Sequence, residues 1–243
     1  MNRERLLRVE QLTGRFGGLA AVEDFSCELF RSEILGLIGP NGAGKSTTFN
    51  LISGFLRPTA GKIWFRDKRI DGRSASTVAR LGLVRTFQHD SLFKNMSVLD
   101  NVLVGATIAS RNRAERRRIA DEMLSLFGLG DVAASIAGSL PHGYQRLIGM
   151  AVAYAPKPAL LCLDEPLTGL NQPEMADVLA TVARLREERG LSVLFVEHNV
   201  RAVMKLCDRI IVLDQGRKLA EGAPAVISRD AKVIEAYLGQ AAS

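Results

Sequence analysis

The chain has 243 residues, of which 47% are hydrophobic and 24% are charged, and its formal net charge at pH 7 is +6. These values are ordinary for a soluble globular protein, and the moderate positive charge permits, without requiring, contact with a membrane surface or nucleic acid. No apolar stretch of the sequence reaches the roughly 18–20 residues that a bilayer-spanning helix needs. The first residues also lack the apolar segment of a signal peptide, so we expect the protein to remain in the cytoplasm.

The three cysteines, Cys27, Cys162 and Cys207, lie far apart in the sequence. No two of them have the spacing of metal ligands, and a disulfide framework is not expected. We interpret them as small buried hydrophobic residues in a reducing compartment.

Residues 39–47 match every position of the phosphate-loop pattern G-x-x-x-x-G-K-[ST]. The apolar run at 34–38 predicts a strand before the loop, and the residues after it predict a helix that ends near Gly54. In this order the loop glycines let backbone N–H groups turn toward phosphate oxygens, and the helix adds the positive end of its dipole. Lys45 is expected to reach the β- and γ-phosphates of a nucleoside triphosphate, and the Ser46 hydroxyl to contact Mg²⁺. The alternative is a glycine-rich turn that binds nothing.

The region after the loop changes from strand-like to helical character. Residues 63–65 and 83–87 are strand candidates, and helical character extends from about residue 97 to about residue 156. One helix of this region has an apolar face, formed by Ile119, Met123, Leu126 and Phe127. Its other face carries arginines at positions 111, 113 and 116–118. We interpret that basic run as a solvated face, and contact with nucleic acid or lipid headgroups is the alternative.

Three nearly continuous apolar runs, at 160–163, 193–196 and 210–213, follow in the second half of the chain. Such runs are typical of parallel strands that are buried on both faces of a sheet. Pro173 lies between the first two runs and predicts the first turn of a helix. The alternation of strands and helices predicts an α/β fold with a mostly parallel sheet, and the helical stretch at about 97–156 predicts an inserted subdomain.

Acidic and imidazole side chains follow two of these strands. Asp164 and Glu165 come directly after the run at 160–163, and His198 follows the run at 193–196. Because α/β proteins bind ligands at strand ends, Asp164 is expected to hold Mg²⁺, and Glu165 to orient or deprotonate an attacking water. His198 is expected to lie near the γ-phosphate. The alternatives are a polar loop for the acidic pair and a structural role for the histidine.

With these motifs in this order, the sequence resembles the ATP-binding subunit of ABC transporters over residues 6–238. The resemblance implies a P-loop NTPase core with a mostly parallel sheet, an N-terminal antiparallel β-part and an inserted helical subdomain. It also implies that residues 1–243 form a single nucleotide-binding domain and that the ligands are ATP and Mg²⁺.

The resemblance assigns further residues to the site. Phe16 corresponds to the aromatic residue that stacks on adenine, and Gln88 to the Q-loop glutamine that contacts Mg²⁺ and senses the membrane partner. Glu165 corresponds to the catalytic base that follows the Walker B strand, and His198 to the switch histidine. The Walker A residues are Gly39, Pro40, Asn41, Gly42, Ala43, Gly44, Lys45, Ser46 and Thr47.

The family signature, Leu-Ser-Gly-Gly-Gln, is altered in this chain. The corresponding residues are Leu140, Pro141, His142, Gly143 and Tyr144. In the family, two subunits pair head to tail, and this segment caps the ATP that is bound to the other subunit. Pro141 lacks the hydroxyl that donates to the γ-phosphate, a loss of about 1.5–3 kcal/mol. The Gly143 N–H and the helix dipole are expected to remain available, which predicts a weakened cap, with a non-functional signature as the alternative.

The segments around Gln88 and at 233–239 resemble the ATPase subunits of branched-chain amino-acid importers. Such a subunit is expected at the cytoplasmic face of the inner membrane, bound to transmembrane permease subunits through a groove near Gln88 and Phe93. A second ATPase subunit is expected to complete a homodimer or heterodimer, and a solute-binding protein acts only indirectly. Uptake systems for urea or amides and the lipopolysaccharide-export ATPase are related, so the solute is not defined by the sequence.

Two other functions compete with transport. A non-transport ABC ATPase would act on nucleic acid or ribosomes, but such proteins usually have two ATPase domains or long coiled-coil insertions, so no nucleic-acid partner is expected. A regulatory module would bind ATP without hydrolysing it, which Pro141 and Tyr144 favour. Asn171, which replaces the aspartate of the family's D-loop, keeps its shape but not its charge. Glu165 and His198 favour hydrolysis.

Overall fold

The computed structural model describes residues 4–86 and 92–238. In chain order the strands are β1 (Arg5–Phe16), β2 (Leu19–Phe30), β3 (Ile34–Ile38), β4 (Ala60–Phe65), β5 (Lys68–Arg69), β6 (Leu83–Arg85), β7 (Leu160–Asp164), β8 (Ser192–Val196), β9 (Arg209–Asp214) and β10 (Arg217–Gly222). The α-helices are α1 (Lys45–Ile52), α2 (Ala75–Arg80), α3 (Val98–Ala109), α4 (Arg113–Leu126), α5 (His142–Tyr154), α6 (Gln172–Arg189), α7 (Val200–Leu206), α8 (Pro224–Ile227) and α9 (Ala231–Leu238). No helix in this described part of the chain combines the length and the apolar character needed to cross a membrane.

A six-stranded sheet forms the centre of the fold, in the order β10-β9-β3-β8-β7-β6. Strands β10 and β9 pair antiparallel, and the other neighbours in this sheet are parallel. A four-stranded antiparallel sheet has the order β2-β1-β4-β5. The predicted α/β fold, with a mostly parallel sheet and an N-terminal antiparallel part, is therefore confirmed.

The carboxyl ends of three parallel strands meet at one edge of the central sheet. Val196 of β8 pairs with Leu37 of β3 on one side and with Asp164 of β7 on the other. The phosphate loop follows β3, Glu165 follows β7, and His198 follows β8. The topology thus brings the predicted site to the edge where open α/β sheets bind ligands.

Side chains of the central sheet alternate between two hydrophobic cores. Leu163 and Phe195 belong to the core that contains α3, α4, α5 and α6, whereas Cys162 and Leu194 belong to the core formed with α1 and the antiparallel sheet. Burial on both faces explains the continuous apolar runs that predict these strands. The cysteines are free and buried, as predicted, and burial raises the pKa of Cys162 to about 12.

Helices α3, α4 and α5 lie between β6 and β7, in the interval where the helical subdomain is predicted. Helix α3 packs against both α4 and α5, and Ile119 from the apolar face of α4 is buried in the shared core. On the other face, Arg117 and Arg118 are exposed and pair with Asp121 and Glu115 of the same helix. This pairing supports the interpretation of the basic run as a solvated face.

The helix predicted from Pro173 begins one residue earlier, at Gln172, and Asn171 is its N-cap. The Asn171 side chain accepts from the N–H of Glu174, and the Glu174 carboxylate accepts from the N–H of Asn171, each at 3.0 Å. This capping box satisfies two N–H groups that have no partner inside the helix. Asn171, which the resemblance aligns with the aspartate of the D-loop, therefore caps α6.

Candidate nucleotide site

The phosphate loop joins β3 to α1, with Gly44 at the N-cap of the helix. The backbone φ of Gly44 is 97°, and a Cβ atom there would lie 2.4 Å from the carbonyl oxygen of Ala21. Glycine alone tolerates both this conformation and this approach. The first N–H groups of α1 have no carbonyl partner within the helix, and together with the helix dipole they suit an anionic ligand.

Lys45 is the first residue of α1, and only 7% of its surface is exposed. Its Nζ donates to the carbonyl oxygens of Gly39, at 2.8 Å, and Pro40, at 3.0 Å. Burial lowers the pKa of Lys45, whereas the nearby carboxylates of Glu165 and Asp164 raise it. The ammonium group therefore lies inside the loop and within electrostatic reach of both acidic residues.

Asp164 ends β7 and is 3% exposed. Its Oδ2 accepts a hydrogen bond from Nη2 of Arg85 at 2.8 Å. Arg85 also donates to Asn50, and its guanidinium lies 4.6 Å from the centre of the Phe49 ring. Burial raises the pKa of Asp164, and Arg85 opposes that rise. Arg85 lies in the segment around Gln88 that carries the resemblance, but the sequence assigns it no role. Its charge in an apolar strand is the signal that points to a buried partner.

Replacing Arg85 by Met is expected to lower the free energy of unfolding by roughly 3–5 kcal/mol, because the buried Asp164 carboxylate loses its charged partner. Arg117→Met is the matched control, since Arg117 and Asp121 form an exposed pair whose side chains are 58% and 52% accessible. That pair is expected to contribute less than about 1 kcal/mol. Urea denaturation followed by circular dichroism measures both variants. Equal, small changes would contradict a stabilising role for Arg85.

The residues predicted to contact Mg²⁺ are Ser46 and Asp164, from the phosphate-loop pattern and the strand end, and Gln88, from the resemblance. Asp164 supplies a carboxylate, and Ser46 supplies an exposed hydroxyl on the first turn of α1, whereas Gln88 lies outside the described residues. Mg²⁺ binds oxygen donors, usually only one or two protein carboxylates together with phosphate oxygens and water. Residues 4–86 and 92–238 contain no cluster of three or more acidic, histidine or cysteine side chains suited to a metal. The described donors fit Mg²⁺ bound with a nucleotide.

Glu165 has a left-handed backbone conformation, with a φ of 44° that residues other than glycine rarely adopt. Its N–H donates to the carbonyl oxygen of Val196 at 2.8 Å, which ties the loop after β7 to β8. Its Oε2 lies 4.0 Å from Nδ1 of His198, and the two side chains are 21% and 57% exposed. The loop after β7 therefore holds Glu165 beside His198, which follows β8.

Phe16 and the signature residues lie at other places on the fold. Phe16 ends β1, pairs with Leu19 of β2 and is 53% exposed. Pro141 is at the N-cap position of α5, directly after Leu140. His142 and Tyr144 are exposed in the first turn of that helix.

The Gly143 N–H, which is expected to face a phosphate bound to the other subunit, has a partner within this chain. That N–H donates to Oε1 of Glu174 at 3.0 Å. The capping box of α6 directs the Glu174 carboxylate toward the start of α5, and a Cβ atom on Gly143 would lie 2.8 Å from Cγ of Glu174. The spacing of Asn171 and Glu174 is a sequence signal for the capping box, but not for this contact with α5.

An apolar groove of about 380 Å³ has α2, β6 and the segment after α1 on one side and helices α3 and α5 on the other. Phe55, Val104 and Ile108 contribute exposed apolar side chains to it. Arg85 and Thr86 also line the groove, and they directly precede the segment that contains Gln88. The groove is therefore lined by Arg85, the residue that contacts Asp164, and is adjacent in sequence to the segment that contains Gln88.

Together, the fold and this site define a P-loop nucleotide-binding protein. The family model described as ABC transporter matches residues 22–168, which is more than half of the chain. The chain therefore belongs to the ABC transporter family. A second model, described as branched-chain amino acid ATP-binding cassette transporter, matches residues 217–243.

Individual relatives agree with this assignment and confirm the resemblance inferred from the sequence. The high-affinity branched-chain amino acid transport ATP-binding protein LivG of Escherichia coli K12 is 41% identical over 251 residues, covering 97% of this chain and 98% of LivG. The lipopolysaccharide export system ATP-binding protein LptB of the same organism is 35% identical over 235 residues, covering 96% of this chain and 97% of LptB. Among solved structures, the ADP conformation of MJ1267, an ATP-binding cassette of an ABC transporter, has a TM-score of 0.88 and 28% identity, covering 97% of this chain and 99% of MJ1267.

Proposed function

We propose that this chain binds ATP with Mg²⁺ and hydrolyses it to ADP and phosphate in order to power an importer of branched-chain amino acids. The observation that carries the proposal is the convergence of Lys45, Asp164, Glu165 and His198 at one edge of the central sheet. The similarity along the full length of LivG supports the substrate class, and the similarity to the exporter subunit LptB is lower.

Each side chain has a chemical role that its position supports. Lys45 neutralises charge on the β- and γ-phosphates, while backbone N–H groups of the loop at 39–47 donate to phosphate oxygens. Glu165 orients or deprotonates the attacking water, and His198 contacts the γ-phosphate. The exposed ring of Phe16 stacks on adenine.

Asp164, Ser46 and Gln88 would hold Mg²⁺. When bound, the ion offsets negative charge on the phosphate oxygens. Arg85 keeps the Asp164 carboxylate in a fixed position, because the guanidinium donates a hydrogen bond to Oδ2 of that carboxylate.

We further propose that two ATPase subunits pair so that the segment 140–144 of one faces the ATP of the other. Closure of the pair is driven by tighter binding of ATP to the closed state. Pro141 provides no hydroxyl for this contact, and the Gly143 N–H must separate from Glu174 before it donates to a phosphate. These features predict slow turnover in the isolated chain. They also favour a second candidate function, a module that binds ATP without hydrolysing it.

The apolar groove beside α3 is the proposed docking site for a transmembrane permease subunit. Such docking places the chain at the cytoplasmic face of the membrane, while a solute-binding protein acts on the permease from the other side. Because Arg85 lines the groove and contacts Asp164, permease docking has a short structural connection to the nucleotide site.

Replacing Ile108 by Asp tests the importer assignment. Ile108 is 56% exposed in the groove, and burying an unpaired carboxylate against an apolar partner is unfavourable. We expect co-purification with two hydrophobic permease subunits to fall about 10-fold or more. Val226→Asp is the control, since Val226 is 60% exposed on α8 and does not line the groove. Full retention of permease subunits by Ile108→Asp would contradict docking here.

A further inference from the structure

Glu197 is a fully buried carboxylate directly between the end of β8 and His198. Its Oε1 accepts from the N–H of Leu167 at 2.8 Å. Its Oε2 accepts from the N–H of His198 at 3.1 Å and from the N–H of Asn199 at 3.3 Å. Leu167 lies two residues after Glu165, so the two oxygens of one side chain hold two different loops of the site.

A carboxylate in this position has an energetic cost. Burial raises the pKa of Glu197, and the backbone N–H groups oppose that rise. Burial of an ionisable group is tolerated when hydrogen bonds satisfy its oxygens. For Glu197 these bonds come from the loops after β7 and β8, and Arg146 of α5 is a positive charge close enough to interact with it.

Glu33 provides a contrast within the same chain. It is also buried, at 3% exposure, but its Oε1 lies 2.9 Å from the Arg209 guanidinium and its Oε2 accepts from the N–H of Phe30. Glu33 therefore takes part in an ion pair at the opposite ends of the strands. The two residues allow the loss of a buried carboxylate to be compared at the site and away from it.

The two loops that Glu197 contacts carry the proposed base and His198. Nδ1 of His198 lies 4.0 Å from Oε2 of Glu165 and 3.9 Å from Oε2 of Glu197. Only one residue, Pro166, separates Glu165 from Leu167, and the N–H of Glu165 also donates to the carbonyl oxygen of Val196. A shift of either loop would change the distance between Glu165 and His198.

We propose that Glu197 is a positioning residue that joins the loop of Glu165 to the loop of His198 and fixes the geometry of both side chains for hydrolysis. Its effect on turnover rests on the proposed ATPase function. The residue acts through its neighbours and does not contact the phosphates itself. Small displacements of catalytic groups are costly, since a misplacement of about 1 Å reduces rates by about 100-fold.

The first test is Glu197→Gln, which keeps the size of the side chain but replaces one acceptor oxygen with an NH₂ group. That group cannot accept from a backbone N–H, so one of the two loops loses its bond. We expect kcat for ATP hydrolysis to fall by about 10- to 100-fold while KM for ATP changes less than about twofold. Hydrogen exchange of the amides of Leu167 or of His198 and Asn199 is expected to become faster in the isolated chain.

Two further variants separate positioning from general stability. Glu33→Gln is expected to lower the melting temperature without changing kcat per folded molecule. Glu197→Asp keeps both acceptor oxygens on a shorter side chain and is expected to recover part of the lost activity, and it serves as the second test if Glu197→Gln folds poorly.

The proposal is overturned if Glu197→Gln leaves the exchange of these amides unchanged, or if their exchange rises while kcat stays at the wild-type value. If the wild-type chain binds ATP but does not hydrolyse it, the proposed function fails, and amide exchange alone then decides whether Glu197 joins the loops. The two failures are therefore distinguishable.

Discussion

Glu165→Gln is expected to reduce steady-state ATP hydrolysis by about 100-fold or more while leaving ATP binding intact. A positioned general base contributes about 10²–10⁴-fold to a rate, and an amide cannot take up the proton of the attacking water. ATP binding persists because the phosphate loop and Lys45 are unchanged, and because glutamine has nearly the same size as glutamate. The measurements are phosphate release at saturating ATP and the Kd of a fluorescent ATP analogue.

The matched control is Glu188→Gln, an equally conservative change at an exposed position near the end of α6. It is expected to leave both phosphate release and nucleotide affinity at wild-type values. Hydrolysis that persists in Glu165→Gln would remove Glu165 from the role of base. A wild-type chain that binds ATP and shows no hydrolysis would instead favour the non-hydrolysing module, for which the contact between Gly143 and Glu174 already argues.

The strands of the central sheet can be predicted because burial on both faces requires a continuous run of apolar residues. The apolar runs at 34–38 and 160–163 match β3 and β7 to within a residue, since each of these strands is buried on both faces. The phosphate loop is predictable for a similar local reason, because Gly44 has a conformation that other residues resist. Such features depend on a few neighbouring positions.

Contacts between distant elements cannot be predicted in this way. Arg85 and Asp164 are 79 residues apart, and they meet because β6 pairs with β7. Gly143 and Glu174 meet because α5 and α6 pack together, and their hydrogen bond engages the N–H that is expected to face a phosphate. Hydrophobic periodicity indicates which face of an element is buried, but it does not specify the neighbour that covers it.

In the candidate site, too, some residues are predictable from local sequence and others depend on contacts between distant elements. The sites of Lys45, Asp164 and Glu165 can be predicted from the phosphate-loop pattern and from strand ends. Gln88 is assigned only by the resemblance and lies outside the described residues. Glu197 illustrates what is missed even beside a motif. In the sequence it is one more acidic residue before His198, and its burial and its bond to Leu167 depend on the tertiary fold.

Lys45→Ala is expected to weaken ATP binding by about 10-fold to 100-fold and to abolish measurable hydrolysis at micromolar ATP. Hydrogen bonds that involve a charged group contribute about 1.5–3 kcal/mol, and 1.4 kcal/mol corresponds to a factor of ten in Kd. The effect is large because Lys45 is buried in the loop, where its charge is screened by water less than at the surface. Isothermal titration with ATP measures the change.

Lys62→Ala is the control for the loss of one positive charge, since Lys62 is exposed on β4, away from the loop. It is expected to change Kd less than about twofold, because interactions between exposed charges are small and screened by salt. Melting temperatures of both variants establish whether the loop still folds, since Lys45→Ala also removes the hydrogen bonds to Gly39 and Pro40. A folded Lys45→Ala chain with wild-type affinity would mean that the nucleotide phosphates bind elsewhere. If ATP binding is weak in Lys45→Ala but normal in Lys62→Ala, the nucleotide phosphates bind at the start of α1. There the helix N-terminus and the lysine act on the same anionic group.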